Sequence, residues 1–162
     1  MKKEKLIRIT TVPSSLKILL KGQHTFMRKY YEVVGVSSSG QELDDVAAAE
    51  DIRVIPIEMT RTISPIKDML SVWKLYKFFR KEKPLIVHTH TPKAGITGMM
   101  AAKLAGVKIR PHTVAGLPLM EVSGLKRRVL NLVEKMTYRC ATRVYPNSKG
   151  LYDFILEERF CK

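Results

Sequence analysis

Short apolar runs alternate with longer segments of helical periodicity about six times along this chain of 162 residues. We interpret the short runs as strands and the periodic segments as helices, so that strand and helix follow one another in turn. This alternation predicts an α/β fold with a doubly wound, mostly parallel sheet and helices on both faces. No repeat, low-complexity tract or linker interrupts residues 1–162, and the length suits a single domain.

Residues 84–95 join a predicted buried strand to a helix start through a polar tip. His88 and His90 follow the apolar run at alternate positions, so both side chains point to the same face. Thr91 and Pro92 form a helix start, because a hydroxyl can cap the helix and the fixed φ of proline suits its first turn. A strand, a polar tip and a helix N-terminus together are typical of sites for anionic or sugar-like ligands.

Ligands of parallel sheets bind beyond the carboxyl ends of the strands, so we expect the functional residues at that edge. The pattern places there Pro13, Ser14, Ser15, His88, His90, Thr91, Lys93, His112, Gly116, Asn147 and Ser148. Three of the four histidines are in this set, which favours a ligand site, although histidines at strand ends also serve to satisfy backbone groups. Lys93 is equally consistent with ligand contact and with a solvated lysine in a first helical turn.

Carboxylates are absent between Glu82 and Glu121. Zinc sites with histidine ligands usually add a carboxylate ligand or base, so the sequence disfavours a catalytic metal here. It equally disfavours an acid/base pair from this segment and predicts a site that receives negative charge. Neither a GxGxxG nor a GxxxxGK[ST] motif occurs, which excludes the usual dinucleotide and P-loop fingerprints.

The chain is strongly basic, with 29 Lys and Arg against 15 Asp and Glu and a net charge of +14. Such a surface favours anionic partners. The basic side chains on the predicted helices form two groups, Lys17, Lys21 and Arg28, and Lys67, Lys74, Lys77 and Lys81. They are either solvated helix faces or a surface that docks on an anionic membrane. Nucleic acid is disfavoured, because Trp73, Phe78 and Phe79 are interpreted as core or helix flank rather than as a stacking platform.

Helical periodicity also predicts the apolar faces of three helices. These positions are Leu16, Leu19, Leu20, Phe26, Met27 and Tyr30 in a helix over residues 16–30 with a break at Gly22, Ile66, Met69, Leu70, Trp73 and Tyr76 in the helix that follows Ser64, and Leu125, Val129, Leu132, Val133, Met136 and Cys140 in a helix over residues 125–141.

Compartment signals point to the cytosol. Cys140 and Cys161 lie far apart without metal-ligand spacing, and we interpret them as a core residue and a tail thiol in a reducing environment. The basic start imitates a signal peptide, but Arg8 and Pro13 interrupt the apolar run that would have to follow. No stretch is long and apolar enough to span a bilayer, so we expect a cytoplasmic protein that rests peripherally on the membrane.

Three segments, residues 87–95, 112–118 and 145–148, resemble the family 4 glycosyltransferases, and more narrowly their bacterial surface-polysaccharide branch. Residues 11–16 and 22–23 extend the resemblance over nearly the whole chain. It implies a GT-B architecture of two Rossmann-like domains, of which this chain corresponds to the amino-terminal, acceptor-binding domain. The nucleotide-sugar domain is then expected to be absent from these residues, and the chain alone is expected to be inactive and to bind nucleotides weakly.

The resemblance implies transfer of a sugar from a nucleotide donor to a polyprenyl-linked glycan, without a metal cofactor and at the cytoplasmic membrane, in capsule or O-antigen synthesis. His112 stands where relatives place a histidine near the transferred sugar, so we expect an alanine variant to stay folded and to lose transfer. His88, His90 and Lys93 would line the acceptor side. Residues 13–15 replace a glycine-rich loop of relatives but lack its double glycine. A sugar epimerase half and a non-enzymatic anion-binding or membrane-binding module remain as alternatives.

Overall fold

The computed structural model describes residues 3–62 and 64–160, so Cys161 lies outside the described residues. Within these ranges the chain forms six strands and seven α-helices. They are β1 (Lys5–Ile9), α1 (Pro13–Leu19), α2 (Gln23–Met27), β2 (Glu32–Ser37), α3 (Gln41–Glu50), β3 (Arg53–Pro56), α4 (Pro65–Glu82), β4 (Ile86–Thr89), α5 (Pro92–Leu104), β5 (Pro111–Val114), α6 (Gly124–Cys140), β6 (Arg143–Pro146) and α7 (Lys149–Glu157). A 3₁₀-helix at Pro118–Glu121 lies between β5 and α6.

The strands form one sheet in the order β3-β2-β1-β4-β5-β6, and every neighbouring pair is parallel. This arrangement confirms the predicted doubly wound, Rossmann-like fold. The order reverses between β1 and β4, where successive connections leave in opposite directions. Crevices at such a switch point are the usual ligand sites of open α/β sheets.

Alternate residues of the strands serve two separate cores. Leu6 and Val33 face one side of the sheet and pack in the cluster formed with α1 and α3. Ile7 and Val34 face the other side and pack against α4 and α5. Helix α5 also packs against α6, so α4, α5 and α6 form one layer and α1 to α3 form the opposite layer.

A helix with a break at Gly22 was predicted over residues 16–30, and the structure divides this segment into α1 and α2 at that glycine. Gly22 lies between them with φ of 75°, a left-handed conformation that glycine adopts readily. The buried carboxylate of Glu50 accepts hydrogen bonds from the backbone N–H groups of Gly22 and Thr25, at 2.6 and 2.8 Å. These bonds hold the start of α2 against the end of α3, so the break is a fixed feature.

The predicted apolar faces of α4 and α6 are largely exposed, which corrects the assignment of these residues to the core. We call them the α4 stripe (Ile66, Met69, Leu70 and Trp73) and the α6 stripe (Leu125, Val129, Leu132 and Met136); Ile66 is 78% exposed and Leu125 is 75% exposed. Leu19, Phe26 and Tyr30 of the other layer are exposed as well. In α4 the buried residues are instead Ser71, Val72, Leu75 and Phe79, and in α6 they are Glu134, Thr137 and Tyr138.

Helix α5 lies close to the sheet because its buried face consists of small residues. A Cβ atom on Gly98 would lie 2.7 Å from Cγ2 of Thr89 and 3.3 Å from Cδ1 of Ile9. A Cβ atom on Gly95 would lie 2.7 Å from Cε1 of His112. These two positions therefore set the distance between α5 and strands β1, β4 and β5.

We expect the Gly98→Ala variant to lower the free energy of unfolding by up to about 2 kcal/mol, because overpacking costs about 1–3 kcal/mol and the helix propensity of alanine offsets about 1 kcal/mol. Gly150→Ala is the matched control, since no heavy atom lies within 4 Å of the added Cβ atom in α7. Urea denaturation measures both variants. Equal stability of the two would contradict the close approach of α5.

Candidate functional site

The ends of β1 and β4 are tied together at the switch point of the sheet. Oγ1 of Thr91 accepts a hydrogen bond from the backbone N–H of Thr11 at 2.9 Å, and the two hydroxyls lie 2.7 Å apart. The sequence predicted that the Thr91 hydroxyl caps α5, but this side chain makes no capping hydrogen bond to the helix. Pro92 occupies the first turn, as predicted. The first-turn N–H groups of α5 consequently meet the carboxyl edge of the sheet without a side-chain cap.

Lys93 follows in the first turn of α5 and forms an ion pair that sequence reasoning missed. Its Nζ lies 2.6 Å from Oδ2 of Asp68, which also accepts a hydrogen bond from the backbone N–H of Ser64 at 3.3 Å. Asp68 precedes the stretch between Glu82 and Glu121 that lacks carboxylates. Because α4 packs beside α5, Asp68 nevertheless lies at the same edge as Lys93. The helix start at Ser64 and Pro65 could have indicated that Asp68 lies in a first helical turn, at the same edge of the sheet as Lys93.

His88 and His90 lie on the same face of the sheet, as predicted, with ring centroids 3.9 Å apart. Nε2 of His90 accepts a hydrogen bond from Nε of the buried Arg8 at 3.3 Å. A further Arg8 nitrogen, Nη2, donates to Oε1 of Gln23 at 2.9 Å. Because Nε2 of His90 is the acceptor, the neutral ring carries its proton on Nδ1.

Burial determines the charge of these groups. It lowers the pKa of Arg8 to about 10, which leaves the guanidinium protonated at neutral pH. It lowers the pKa of His88 to about 3 and that of His90 even further, and the positive charge of Arg8 adds to both shifts. A cation hydrogen-bonded to the neutral imidazole of His90 therefore lies beside the switch point.

His112 lies on the opposite face of the sheet, below α5, and is only 2% exposed. Its Nδ1 lies 2.7 Å from the hydroxyl Oγ1 of Thr89, and its ring lies 6.0 Å from the ring of Tyr138. Burial lowers its pKa to about 4. The sequence predicted the three histidines at one edge, and the structure adds that the sheet separates His112 from His88 and His90.

The remaining predicted residues follow the edge of the sheet from α1 to α7. Pro13, Ser14 and Ser15 form the first turn of α1, with Pro13 buried. Gly116 follows β5, and the backbone N–H of Asn147 donates to the carbonyl of Val114 at 3.1 Å. Oγ of Ser148 accepts a hydrogen bond from the N–H of Leu151 at 3.2 Å and caps α7.

Two cavities adjoin His88 and Lys93. One, of about 780 Å³, lies on the face of the sheet beside α2 and is lined by Arg8 and His88 together with Lys21, Lys108 and Arg143. His88 is therefore directed into a cavity on the sheet face, where cations prevail. The second is an apolar groove on the α4–α6 layer, at whose end Asp68 and Lys93 lie.

Among residues 3–62 and 64–160, no group of three or more His, Cys, Asp or Glu side chains is arranged to hold a metal ion. Within the same ranges no helix combines the length and the apolarity needed to cross a membrane. Cys140 is a half-buried free thiol.

The buried histidines predict loss of stability in acid. Burial lowers the pKa of His24 and His112 to about 4 and that of His88 to about 3, against 6.5 in the unfolded chain. Below pH 6.5 the unfolded chain binds protons that the folded chain does not. The free energy of unfolding therefore decreases as the pH is lowered, by up to about 1.4 kcal/mol per pH unit for each histidine. Glu134 opposes this between pH 4.5 and 7, because burial raises its pKa to about 7.

Urea denaturation between pH 7 and 5 tests this expectation. The His88→Gln variant should reduce the slope of stability against pH by up to about 1.4 kcal/mol per unit, since one proton-linked group is removed. The Glu134→Gln variant should make the slope steeper, because the opposing group is lost. Slopes unchanged in both variants would show that these side chains are not buried as described.

The glycosyl transferase 4-like family matches residues 11–148 of this chain. The capsular polysaccharide biosynthesis glycosyltransferase CapM of Staphylococcus aureus is 40% identical over 163 aligned residues, which cover 100% of this chain and 42% of CapM. The UDP-Gal:alpha-D-GlcNAc-diphosphoundecaprenol alpha-1,3-galactosyltransferase of Escherichia coli is 46% identical over 90 residues, 53% of this chain and 22% of that protein.

A solved structure of a UDP-N-acetylglucosamine 2-epimerase superposes with a TM-score of 0.72 at 23% identity, and the match covers 98% of this chain and 46% of the epimerase chain. At this identity the likeness shows the fold alone. The chain thus spans less than half the length of each of these three proteins. Because the family match extends from the end of β1 to the cap of α7, the chain belongs to the glycosyltransferase 4-like family.

Proposed function

We propose that this chain is the acceptor-binding domain of a glycosyltransferase that moves a sugar from a nucleotide donor to a lipid-linked glycan in surface polysaccharide synthesis. The observation that carries the proposal is the 40% identity with CapM over the whole chain. The galactosyltransferase relative adds the acceptor class, since its name specifies a diphosphoundecaprenol-linked sugar. The nucleotide-sugar donor would be bound mainly by a second domain of the GT-B type.

A sugar epimerase is the rival enzyme class, because it shares the fold. That rival rests on a structural likeness at 23% identity, whereas the relatives found by sequence are both transferases. The sequence relatives therefore favour transfer over epimerisation.

The chemistry at the edge of the sheet is suited to developing negative charge. The uncapped N-terminus of α5 carries a partial positive charge. Arg8 adds a full charge nearby, whereas the charge of Lys93 is offset by its ion pair with Asp68. In sugar transfer the leaving diphosphate gains negative charge, and preorganised donors of this kind stabilise it. We propose on this basis that transfer proceeds without a metal cofactor.

His112 is the proposed catalytic side chain. Thr89 holds its Nδ1, and Nε2 lies on the side of Gly95 in the first turn of α5, where an added Cβ atom would be 3.2 Å away. A neutral imidazole can hydrogen-bond a sugar hydroxyl without carrying full charge, but at 2% exposure this role requires the ring to become accessible in the complete enzyme. Its burial changes one expectation: alanine at this position should cost about 1–3 kcal/mol of stability, because the Thr89 hydroxyl loses its partner.

A chimera tests both proposals, with this chain in place of the matching part of CapM. We expect it to transfer sugar from a nucleotide donor to a prenyl-diphosphate-linked acceptor. The His112→Asn variant, whose amide can replace Nδ1 opposite Thr89, should stay folded and lose transfer by about 100-fold or more. A folded chimera without transfer, beside active CapM, would contradict the proposed function. Near-parental transfer by the asparagine variant would exclude His112 from the chemistry.

We further propose that the α4–α6 layer docks on the anionic cytoplasmic face of the membrane, which makes the protein a cytoplasmic, peripheral one. Both exposed apolar stripes belong to this layer, and Lys67, Lys74, Lys77 and Lys81 are exposed on α4 beside one of them. Nζ of Lys77 lies 5.1 Å from the ring centroid of Trp73. Apolar side chains flanked by lysines are typical of helices that lie in a membrane interface. We propose no nucleic-acid partner.

The other predicted basic group, Lys17, Lys21 and Arg28, lies on the opposite layer of the sheet. Lys17 pairs with Asp45 at 2.7 Å, and Arg28 pairs with Asp51. One flat membrane surface cannot contact both layers, so we leave this group out of the proposed docking surface.

Sedimentation with anionic vesicles at low salt compares two triple variants of equal charge change. Lys74→Gln/Lys77→Gln/Lys81→Gln should weaken binding by up to roughly 100-fold, because each lysine contributes about 1 kcal/mol near an anionic surface. Lys17→Gln/Lys21→Gln/Arg28→Gln should have a much smaller effect. Equal losses in the two variants would indicate non-specific attraction, and equal binding of the parent to neutral vesicles would contradict docking.

A further inference from the structure

A groove of about 650 Å³ lies on the outer side of α5, between α4 and α6. Its middle is apolar, with Val72 on one wall, Ile96 and Met100 on the floor, and Leu130 and Val133 on the other wall. The volume falls in the range of sites that enclose small molecules or parts of larger ones. An elongated cavity lined by branched and flexible aliphatic side chains suits an aliphatic chain.

One end of the groove is cationic. Arg61, Lys93 and Lys126 lie there, beside the N-termini of α4, α5 and α6 and hence at the carboxyl edge of the sheet. Asp68 offsets one of these charges through its 2.6 Å ion pair with Lys93, which leaves three cations against one carboxylate. An anionic group at this end would be complementary in charge and would adjoin the proposed transfer site.

The other end of the groove carries one buried carboxyl, that of Glu134, which is 4% exposed. A hydrogen bond with the side chain of Tyr138 favours the charged form of this carboxyl and so opposes the effect of its burial. Burial raises the pKa of Glu134 to about 7, so the side chain is largely neutral below neutral pH. The far end is therefore compatible with an uncharged occupant.

The mouth of the groove adjoins the two exposed apolar stripes. Met69 belongs both to the α4 stripe and to the lining of the groove. Val129 of the α6 stripe precedes Val133 by one helical turn. A chain that leaves a membrane bound to this layer would enter the groove without crossing polar surface.

We propose that this groove binds the isoprenoid chain of the acceptor, with the diphosphate at the cationic end and the prenyl units along Ile96, Met100 and Val133. The inference rests on the proposed function, because the acceptor class comes from it. The proposal places the prenyl chain in the groove, so that the glycan attached to the diphosphate lies at the carboxyl edge of the sheet.

Farnesyl diphosphate is the probe, and isothermal titration with the 162-residue chain is the measurement. Val133→Phe fills the groove and should weaken binding at least tenfold. Val129→Phe is the matched control, since it makes the same change on the same helix outside the groove, and it should stay within twofold of the parent. Geranyl diphosphate, which is one isoprene unit shorter, should bind at least tenfold more weakly, because each buried methylene contributes about fourfold in affinity.

Three results would overturn the proposal. Equal effects of the two phenylalanine variants would remove the groove from binding. Equal affinity for inorganic diphosphate would show that the chain contributes nothing. Equal affinity for a lysophosphatidic acid would assign the groove to membrane acyl lipid.

A measurement without variants covers the case in which Val133→Phe does not fold. Farnesyl diphosphate with a diazirine at the far end of the chain should crosslink to the tryptic peptides 94–103 and 129–135, which contain Ile96, Met100 and Val133. Crosslinks confined to α1–α3 would contradict the proposal.

Neither binding experiment contains a sugar donor, so the two proposals can fail separately. A chimera that transfers sugar with unchanged activity in the Val133→Phe variant would overturn the groove and leave the function. Farnesyl diphosphate binding that depends on Val133, in a chain whose chimera is folded and inactive, would leave a prenyl-binding groove and overturn the function.

Discussion

The close approach of α5 to the sheet is the constraint on which the other parts of the site depend. Gly98 lies against Thr89, and Gly95 lies against His112, so there is no room for larger side chains between helix and strands. Thr89 in turn holds Nδ1 of His112. Since the same helix starts at the link between Thr91 and Thr11, its uncapped N-terminus is fixed at the switch point. Two glycines therefore determine where the imidazole and the helix N-terminus lie relative to each other.

The second constraint is electrostatic. Arg8 is buried, yet its hydrogen-bond partners are His90 and Gln23 rather than a carboxylate. A carboxylate would compensate the charge and reduce its field, whereas neutral imidazoles accept hydrogen bonds and leave the charge in place. Burial lowers the pKa values of His88 and His90, and the positive charge of Arg8 adds to both shifts. Arg8 is thus a buried cation beside the switch point, and the carboxylate of Glu50 raises its pKa without a direct hydrogen bond.

Periodicity sufficed to predict the order of strands and helices and the edge that carries the site, because these follow from alternation and from the geometry of parallel sheets. It did not distinguish which apolar face of α4 meets the sheet. That helix has apolar residues on two sides, and only packing shows that Leu75 is inside while Ile66 is outside. The ion pair of Lys93 with Asp68 was missed because the residues around Lys93 do not show which side chain of the neighbouring helix lies beside it. For His112, the sequence predicted a place at the strand end but not the face of the sheet, since a strand end alone does not show which layer covers it.

The two layers of the molecule differ in a way that bears on how a lipid-linked substrate could reach the site. Large exposed apolar patches are uncommon on monomeric soluble domains, and here two of them flank one groove. Val133 lies nine residues beyond the start of α6, hence roughly 14 Å from the edge of the sheet at a rise of about 1.5 Å per residue. An occupant that extends from this depth to Lys93 would place its anionic end at the N-terminus of α5 whatever glycan it carries. The geometry of the α4–α6 layer would then select the lipid and its diphosphate, and selection of the sugar would be left to residues nearer the donor.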